Sequence, residues 1–89
     1  KKVMKELERV LKALANKRRL AIIQVLRKRR KENVGEIARA INLSFKATSK
    51  HLNVLAAVDI VDKEQRSLQM WYSLAPALPE AAKRITHLL

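Results

Sequence analysis

A group of polar side chains near the middle of the chain carries the clearest chemical signal. Its members recur every three or four residues, which places them on one face of a helix. Ammonium groups there can donate to guanine O6 and N7 or to a phosphate, and a hydroxyl can bond to either. The alternative is an ordinary solvated helix face. The residues of this face are Lys46, Ser49, Lys50 and Asn53.

The opposite side of the same segment predicts how the polar face is held. Thr48, Leu52 and Leu55 follow the four- and three-residue spacing of a buried helix stripe. A second short amphipathic helix precedes it, and the sequence Asn-Leu-Ser at 42–44 separates the two. Two helices joined by so tight a turn form a helix-turn-helix, whose second helix can enter the major groove of DNA. We therefore predict a helix-turn-helix over residues 36–55.

The charge of the chain agrees with a polyanionic partner. Twenty Lys and Arg against eight Asp and Glu give a formal charge of +12 and a pI near 10.8. A polybasic chain can also bind an anionic membrane surface. However, no apolar run approaches the roughly 18 residues that span a bilayer, and no signal or lipidation pattern is visible. The lack of Cys excludes disulfides and thiolate metal sites. We expect a cytoplasmic protein without a cofactor, with a few residues preceding Lys1.

Helix-start signals predict the remaining helices. A helical apolar period covers residues 3–15, and Asn16 is suited to cap a second helix. Asn33 opens the third helix in a capping-box pattern, and Ser44 can cap the fourth. A last helix is predicted over residues 79–89, where a proline suits the first turn.

Residues 60–74 change from a helical to a β-prone pattern. Two short apolar runs flank a polar stretch, which predicts an antiparallel hairpin with its tip around residues 65–67. The order is therefore four helices, two strands and a helix. We predict a mainly α fold with a small antiparallel β-hairpin (α+β), a winged helix-turn-helix, in which residues 1–89 form one domain and residues 60–74 form the wing.

Seven segments of the chain carry a resemblance to a known protein family. They are Leu11–Asn16, Arg19-Leu20, Val34–Ala38, Leu43-Ser44, Ser49–Leu55, Ile60-Val61 and Trp71–Leu74. In these segments the chain resembles the ArsR family of bacterial and archaeal winged-helix repressors, and the resemblance covers essentially its whole length. That resemblance implies a homodimer that binds operator DNA as an inverted repeat and that a ligand usually releases.

The departures from the family pattern are equally specific. The Cys-rich motif of the metal-sensing members is absent from residues 32–36, and the last helix offers only Glu80 and His87 as ligands. Two ligands are short of the four that a structural zinc takes, although a dimer could double the count. No metal site is predicted. Asp59 replaces the glycine expected before the first wing strand, and Phe45 replaces a polar residue.

Several residues around the helix-turn-helix are candidate DNA contacts or have two interpretations. Phe45 either meets a thymine methyl or folds back onto the core. His51 is predicted to pack or hydrogen-bond near the turn. The basic run 27–31 either complements a helix dipole or binds phosphate. The predicted DNA contacts are Ser44, Phe45, Lys46, Ser49, Lys50 and Asn53, together with Lys63 and Arg66 in the wing.

An apolar seam on the first helix suggests a dimer. Its four- and three-residue spacing suits packing against another helix, and a chain of this size has little internal core for the first and last helices to cover. A two-fold dimer would place two reading helices on successive major grooves, about one helical turn apart. The predicted interface residues are Val3, Leu7, Val10, Leu14, Ile85 and Leu89.

The sequence therefore predicts a homodimeric, sequence-specific transcriptional regulator, in the manner of a repressor, that binds double-stranded DNA. No nucleophile with its base, carboxylate pair or glycine-rich phosphate loop supports an enzyme. An architectural DNA-binding protein is the first alternative, and selection from random duplexes separates the two. A winged-helix module that binds only proteins is the second, and salt-sensitive binding to a duplex would exclude it.

Overall fold

The computed structural model describes residues 2–89 and contains five helices and three strands within that range. In those residues no helix is long and apolar enough to cross a membrane. The elements are α1 (Lys2–Leu14), α2 (Lys17–Arg29), β1 (Lys31–Asn33), α3 (Val34–Ile41), α4 (Phe45–Ala57), β2 (Val61–Arg66), β3 (Gln69–Leu74) and α5 (Glu80–Thr86).

Side-chain caps start three of these helices at the residues that the sequence predicts. Asn16 Oδ1 accepts hydrogen bonds from the two backbone N–H groups of residues 18 and 19, at 2.9 and 3.1 Å. Asn33 Oδ1 accepts from the backbone N–H of Glu36 at 2.9 Å, and Ser44 Oγ from that of Ala47 at 3.1 Å. Each cap satisfies N–H groups that the helix itself leaves unpaired.

The core lies where α2, α3 and α4 meet the base of the wing. Its fully buried side chains are branched aliphatic residues at helical spacing, as an amphipathic helix requires. Around them lie half-buried apolar residues of β3 and α5. The largest buried apolar side chains are Ile22, Ile23, Leu26, Ile37, Leu52, Leu55 and Ile60.

The sheet has a strand that the sequence analysis missed. Its order is β1-β3-β2, and β1 pairs antiparallel with β3 through Lys31 and Ser73 at one end and Asn33 and Trp71 at the other. This three-residue strand is polar and follows a run of cations, so it has no alternation that could predict it. Mainly α with a small antiparallel sheet is nevertheless the observed class, and the hairpin β2-β3 forms the predicted wing.

The wing hairpin lies within the predicted range of residues 60–74, but it turns one step later than predicted. Arg66 pairs with Gln69, so the turn lies at Ser67 and Leu68 rather than around residues 65–67. Ser67 has a positive φ of 54°, which a turn without glycine must place on another residue. Asp59 likewise has a φ of 60° between α4 and β2. This is the left-handed conformation that the missing family glycine would adopt without steric cost.

The predicted seam of α1 divides between two environments. Val10 and Leu14 are only 8% and 4% exposed, because α1 turns them toward the core of its own chain. They are therefore core residues, which corrects their place in an exposed seam. Val3 and Leu7 remain exposed. The last helix spans residues 80–86 rather than 79–89, and it buries Ala82 and Thr86 more completely than Ile85 or Leu89.

Candidate nucleic-acid interface

Helix α4 is held with one face in the core and the other in solvent. Thr48, Leu52 and Leu55 are fully buried, so the helix cannot rotate without exposing them. The opposite face presents Lys46, Lys50 and Asn53 to solvent and leaves Ser49 half-buried. The three-residue link after α3 is short, and Asn42 ends that helix in a left-handed conformation. The helix-turn-helix therefore displays the polar face that its spacing predicts.

The cations of this face are not neutralised by the protein itself. Among the described residues, Lys46 and Lys50 form no ion pair, and both side chains are exposed. Asn53 continues the row with an amide that can both donate and accept. Charge and hydrogen-bonding groups thus stand ready for an anionic partner.

Phe45 is exposed at the start of α4. Its side chain is 62% exposed, and it lies outside the buried cluster and the residues packed on it. Of the two interpretations of Phe45, folding back onto the core is therefore excluded. Ser44 beside it is exposed, and its hydroxyl caps the helix.

The wing carries a charge cluster centred on Glu64. Lys31 Nζ of β1 lies 3.0 Å from one of its carboxylate oxygens, and Arg66 Nε lies 3.2 Å from the other. Hydrogen bonds from Lys31 and then from Arg66 lower the pKa of Glu64 below its usual value. Lys63, one residue earlier in the strand, is exposed and forms no ion pair in residues 2–89. Of the two predicted wing contacts, Lys63 is open and Arg66 is held by an acidic neighbour.

His51 forms a hydrogen bond to the first turn of α2, and not to the turn between α3 and α4. Its Nδ1 lies 3.2 Å from Arg19 Nη1. Because a guanidinium can only donate, His51 Nδ1 accepts this bond and carries no proton. Burial lowers the pKa of His51, and the nearby charges of Arg19 and Arg18 lower it further. Arg19 also donates to the backbone oxygen of Ala13, so this contact joins α4 to the end of α1.

The basic run 27–31 is partly structural. Arg27 donates a hydrogen bond to the backbone oxygen of Thr86. Arg29 Nη1 lies 3.4 Å from Glu32 Oε1, and Lys31 forms an ion pair with Glu64. Lys28 and Arg30 are exposed and form no ion pair within the described part of the chain. Three of the five cations are therefore engaged within the chain, and two are open to an anion.

The exposed apolar strip on α1 contains residues other than those of the predicted seam. Met4, Leu7 and Leu11 are 68%, 41% and 45% exposed, and with Ala15 they line a shallow apolar cleft of about 400 Å³. Met4 and Leu11 were missed, although they lie three residues before and four residues after Leu7 and so share its side of the helix. Ile85 and Leu89 are half-buried against the core of the same chain.

A cleft between α3, α4 and the wing tip contains a further missed residue. Leu68 at the turn of the hairpin is 98% exposed, and it lines a cleft of about 340 Å³ together with Phe45 and Met70. An apolar residue in the middle of a polar hairpin was the available sequence signal. Arg39 lies in the same cleft and is paired with Glu36.

The two residues considered as metal ligands on the last helix are not brought together with others. Glu80 lies 3.1 Å from Arg84 Nε, and His87 is exposed. Over residues 2–89 no group of three or more His, Cys, Asp or Glu side chains could hold a metal.

Solved structures similar to this chain are winged-helix regulators. HlyU from Vibrio cholerae is 31% identical, with a TM-score of 0.84 over 99% of this chain and 92% of that one. NolR from Sinorhizobium fredii is 28% identical, with a TM-score of 0.83 over 98% and 83%. A Mycobacterium bovis fragment is 29% identical, with a TM-score of 0.81 over 97% and 76%. That fragment is described as a homodimeric winged helix-turn-helix DNA-binding domain of a possible ArsR-family regulator.

The family comparison agrees with the structural one. No curated protein sequence matches the chain. A family model described as "Bacterial regulatory protein, arsR family" matches residues 16–63, which is more than half of the chain and runs from the cap of α2 into the wing. The fold and the family are those of transcription regulators and not of enzymes. The chain belongs to the arsR family of bacterial regulatory proteins.

Proposed function

We propose that residues 1–89 act as one DNA-binding domain of a homodimeric, sequence-specific transcriptional regulator. The observation that carries the proposal is the outer face of α4, where two unpaired lysines and an amide are exposed on a helix whose other side is buried. A helix presented in this way fits the major groove of B-DNA.

The contacts have two different roles. Lys46, Ser49, Lys50 and Asn53 bind base edges and adjacent phosphates, and the base contacts provide the sequence preference. Lys63 in the wing binds the phosphate backbone, and Arg66 reaches the minor groove, where a narrow groove attracts arginine. Each neutralised phosphate releases counterions. A plot of the logarithm of the binding constant against the logarithm of salt concentration therefore has a slope of about −0.9 for each phosphate contact.

The dimer forms through α1. Its strip of Met4, Leu7 and Leu11 is exposed in one chain, and a second copy related by a two-fold axis would bury it. The related Mycobacterium bovis fragment is described as homodimeric, which supports a homodimer here. Two copies of α4 then face successive major grooves, so the operator is an inverted repeat. Ile85 and Leu89 border the interface from the last turn of the chain.

The regulator acts as a repressor by occupying a promoter. A dimer of this kind covers the major groove at two half-sites and excludes other proteins from the same DNA. Transcription in vitro from a promoter that contains the selected operator tests this role. We expect added protein to reduce transcript from that promoter and not from one with a scrambled operator. An increase in transcript would identify an activator.

Binding of two variants to DNA tests the central assignment. We compare Lys50→Ala with Lys28→Ala, which removes the same charge at an exposed position of a different helix, α2. Fluorescence anisotropy measures affinity for a duplex selected from a random pool and for a scrambled duplex of the same composition. Lys50→Ala should weaken binding to the selected duplex more than binding to the scrambled duplex. Lys28→Ala should leave the ratio of the two affinities unchanged.

Three other results would change the assignment. A uniform loss across both duplexes in Lys50→Ala would make Lys50 a phosphate contact only. Equal affinity of the wild-type protein for both duplexes would support an architectural protein. Absence of salt-sensitive binding to any duplex would exclude a DNA-binding function.

A further inference from the structure

Phe45 is the aromatic side chain that the fold leaves in solvent. The chain has one Phe, one Tyr and one Trp. Tyr72 is buried in β3, and Trp71 beside it is half-buried, whereas Phe45 is 62% exposed. Burying a Phe side chain contributes a substantial favourable free energy. Phe45 does not contribute this free energy to folding, but it can contribute it to binding when a partner surface covers the ring.

The position of Phe45 relative to the polar face narrows the identity of that surface. Phe45 is the first residue of α4 and precedes Ser49 by four residues, so the two share one edge of the face. It also borders the cleft that separates α4 from the wing tip at Leu68. Phe45 therefore lies exposed beside the residues that are proposed to contact the duplex, at the start of the same helix.

The major groove offers an aromatic ring one apolar partner. Base edges there present hydrogen-bond donors and acceptors, with the exception of the C5-methyl group of thymine. Phe45 cannot hydrogen-bond, and covering a donor or acceptor with its ring would leave that group unsatisfied at a cost. Contact with a methyl group removes apolar surface from water on both sides.

We propose that Phe45 reads the C5-methyl group of a thymine at a fixed position of each half-site. The inference rests on the proposed DNA-binding function and adds its base preference. Phe45 is the position where this chain has an aromatic residue in place of the family's polar one, and the proposal gives that residue a preference for thymine. The recognised feature is the methyl group of the base and not its hydrogen-bonding groups.

Replacement of thymine by deoxyuridine tests the proposal, because it deletes only the methyl group. In a duplex selected for binding, each thymine is replaced in turn, and affinities are measured for the wild type, Phe45→Gln and Leu68→Gln. Leu68 is the matched control because it is also apolar and exposed but lies on the wing. At one thymine per half-site the wild type should lose about fourfold per methyl group, the factor that corresponds to ~0.8 kcal/mol.

The variants separate this proposal from the function on which it rests. Phe45→Gln should be insensitive to the same replacement, and Leu68→Gln should lose as much affinity as the wild type. A wild-type protein that binds the selected duplex but is indifferent to every replacement would overturn the methyl readout and leave the regulator intact. Equal sensitivity in Phe45→Gln would also overturn it. Failure of all three proteins to bind any duplex would remove the DNA-binding function itself.

Discussion

Thr48 shows how one side chain can oppose the stability of the reading helix. Its side chain is fully buried between α4 and the core, and its Oγ1 has no hydrogen-bond partner among residues 2–89. A buried hydroxyl left unpaired costs about 1–3 kcal/mol. Thr48→Val keeps the branched shape and removes the hydroxyl, so we expect the free energy of unfolding in urea to rise by about 1 kcal/mol.

Thr86 provides the control of opposite sign. It is also buried, but its Oγ1 donates to the backbone oxygen of Ala82 at 2.7 Å. Thr86→Val loses that bond, and the free energy of unfolding should fall by roughly 0.5–1.5 kcal/mol. If both variants change stability in the same direction, the unpaired hydroxyl is not the cause of the effect at Thr48.

His51 gives the fold a dependence on pH. Burial, Arg19 and Arg18 lower its pKa below the ordinary value of 6.5, so the unfolded chain takes up a proton more readily than the folded one. The contribution of the neutral ring is therefore complete above pH 6.5 and is lost as the pH falls below that value. We expect the free energy of unfolding of the wild type to decline over this range, when it is measured by urea denaturation at several pH values.

The variant His51→Gln isolates that contribution. Glutamine keeps a hydrogen-bonding side chain but does not titrate, so the decline just below pH 6.5 should be smaller than in the wild type. Glu36 and Glu64 also have lowered pKa values, but their contributions are lost only as the pH falls below about 4.5. An unchanged profile in His51→Gln between pH 7 and 5 would contradict the role of the ring.

At the scale of the elements, the wing contains a built-in restraint on its own cations. Glu64 holds Lys31 Nζ and Arg66 Nε at 3.0 and 3.2 Å and places a negative charge beside the proposed phosphate contacts of the wing. Glu64→Gln should release both cations, so affinity for any duplex rises and the salt dependence steepens by about 0.9 for each further phosphate that the released cations neutralise. Stability should change little, since exposed ion pairs contribute little to the free energy of unfolding.

A second glutamate controls for net charge in this prediction. Glu80→Gln makes the same charge change in the exposed pair with Arg84 on α5, outside the wing and outside the cleft on α1. Filter binding or anisotropy across a salt series compares the two. Equal increases in affinity for both variants would attribute the effect to overall charge and not to the wing.

The elements that the sequence predicts well are those with a local chemical signal. Asn16, Asn33 and Ser44 cap helices because their side chains can accept from the next turn, and that preference is visible without a structure. Strand β1 has no such signal, because three polar residues become a strand only by pairing with β3. The turn of the wing was misplaced by one step because no glycine marks it.

In the candidate site too, some features follow from local sequence patterns and others do not. The outer face of α4 follows from helical spacing alone, and the buried side of Thr48, Leu52 and Leu55 confirms its orientation. Spacing could not distinguish packing within a chain from packing between chains. Val10 and Leu14 were therefore placed in the seam, although they lie in the core of their own chain.

At the scale of the whole molecule, DNA binding by the outer face of α4 is expected to depend on dimerisation through the apolar strip of α1. Leu7→Glu places a charge in the exposed strip of α1 and should convert dimers to monomers in sedimentation velocity experiments. Because the dimer couples two half-sites, DNA affinity should fall by roughly 100-fold or more. Gln24→Glu, an exposed change of equal charge on α2, should alter neither property strongly. A monomeric wild-type protein, or a dimeric Leu7→Glu, would contradict this interface.

Selection of bound duplexes from a random pool tests the account most directly, because it requires the reading face and the dimer at once. The wild-type protein should enrich an inverted repeat whose half-sites are about one helical turn apart, roughly 10–10.5 base pairs. The Leu7→Glu variant should lose the spacing between half-sites. Enrichment of no sequence, or of a single half-site without its repeat, would contradict the account.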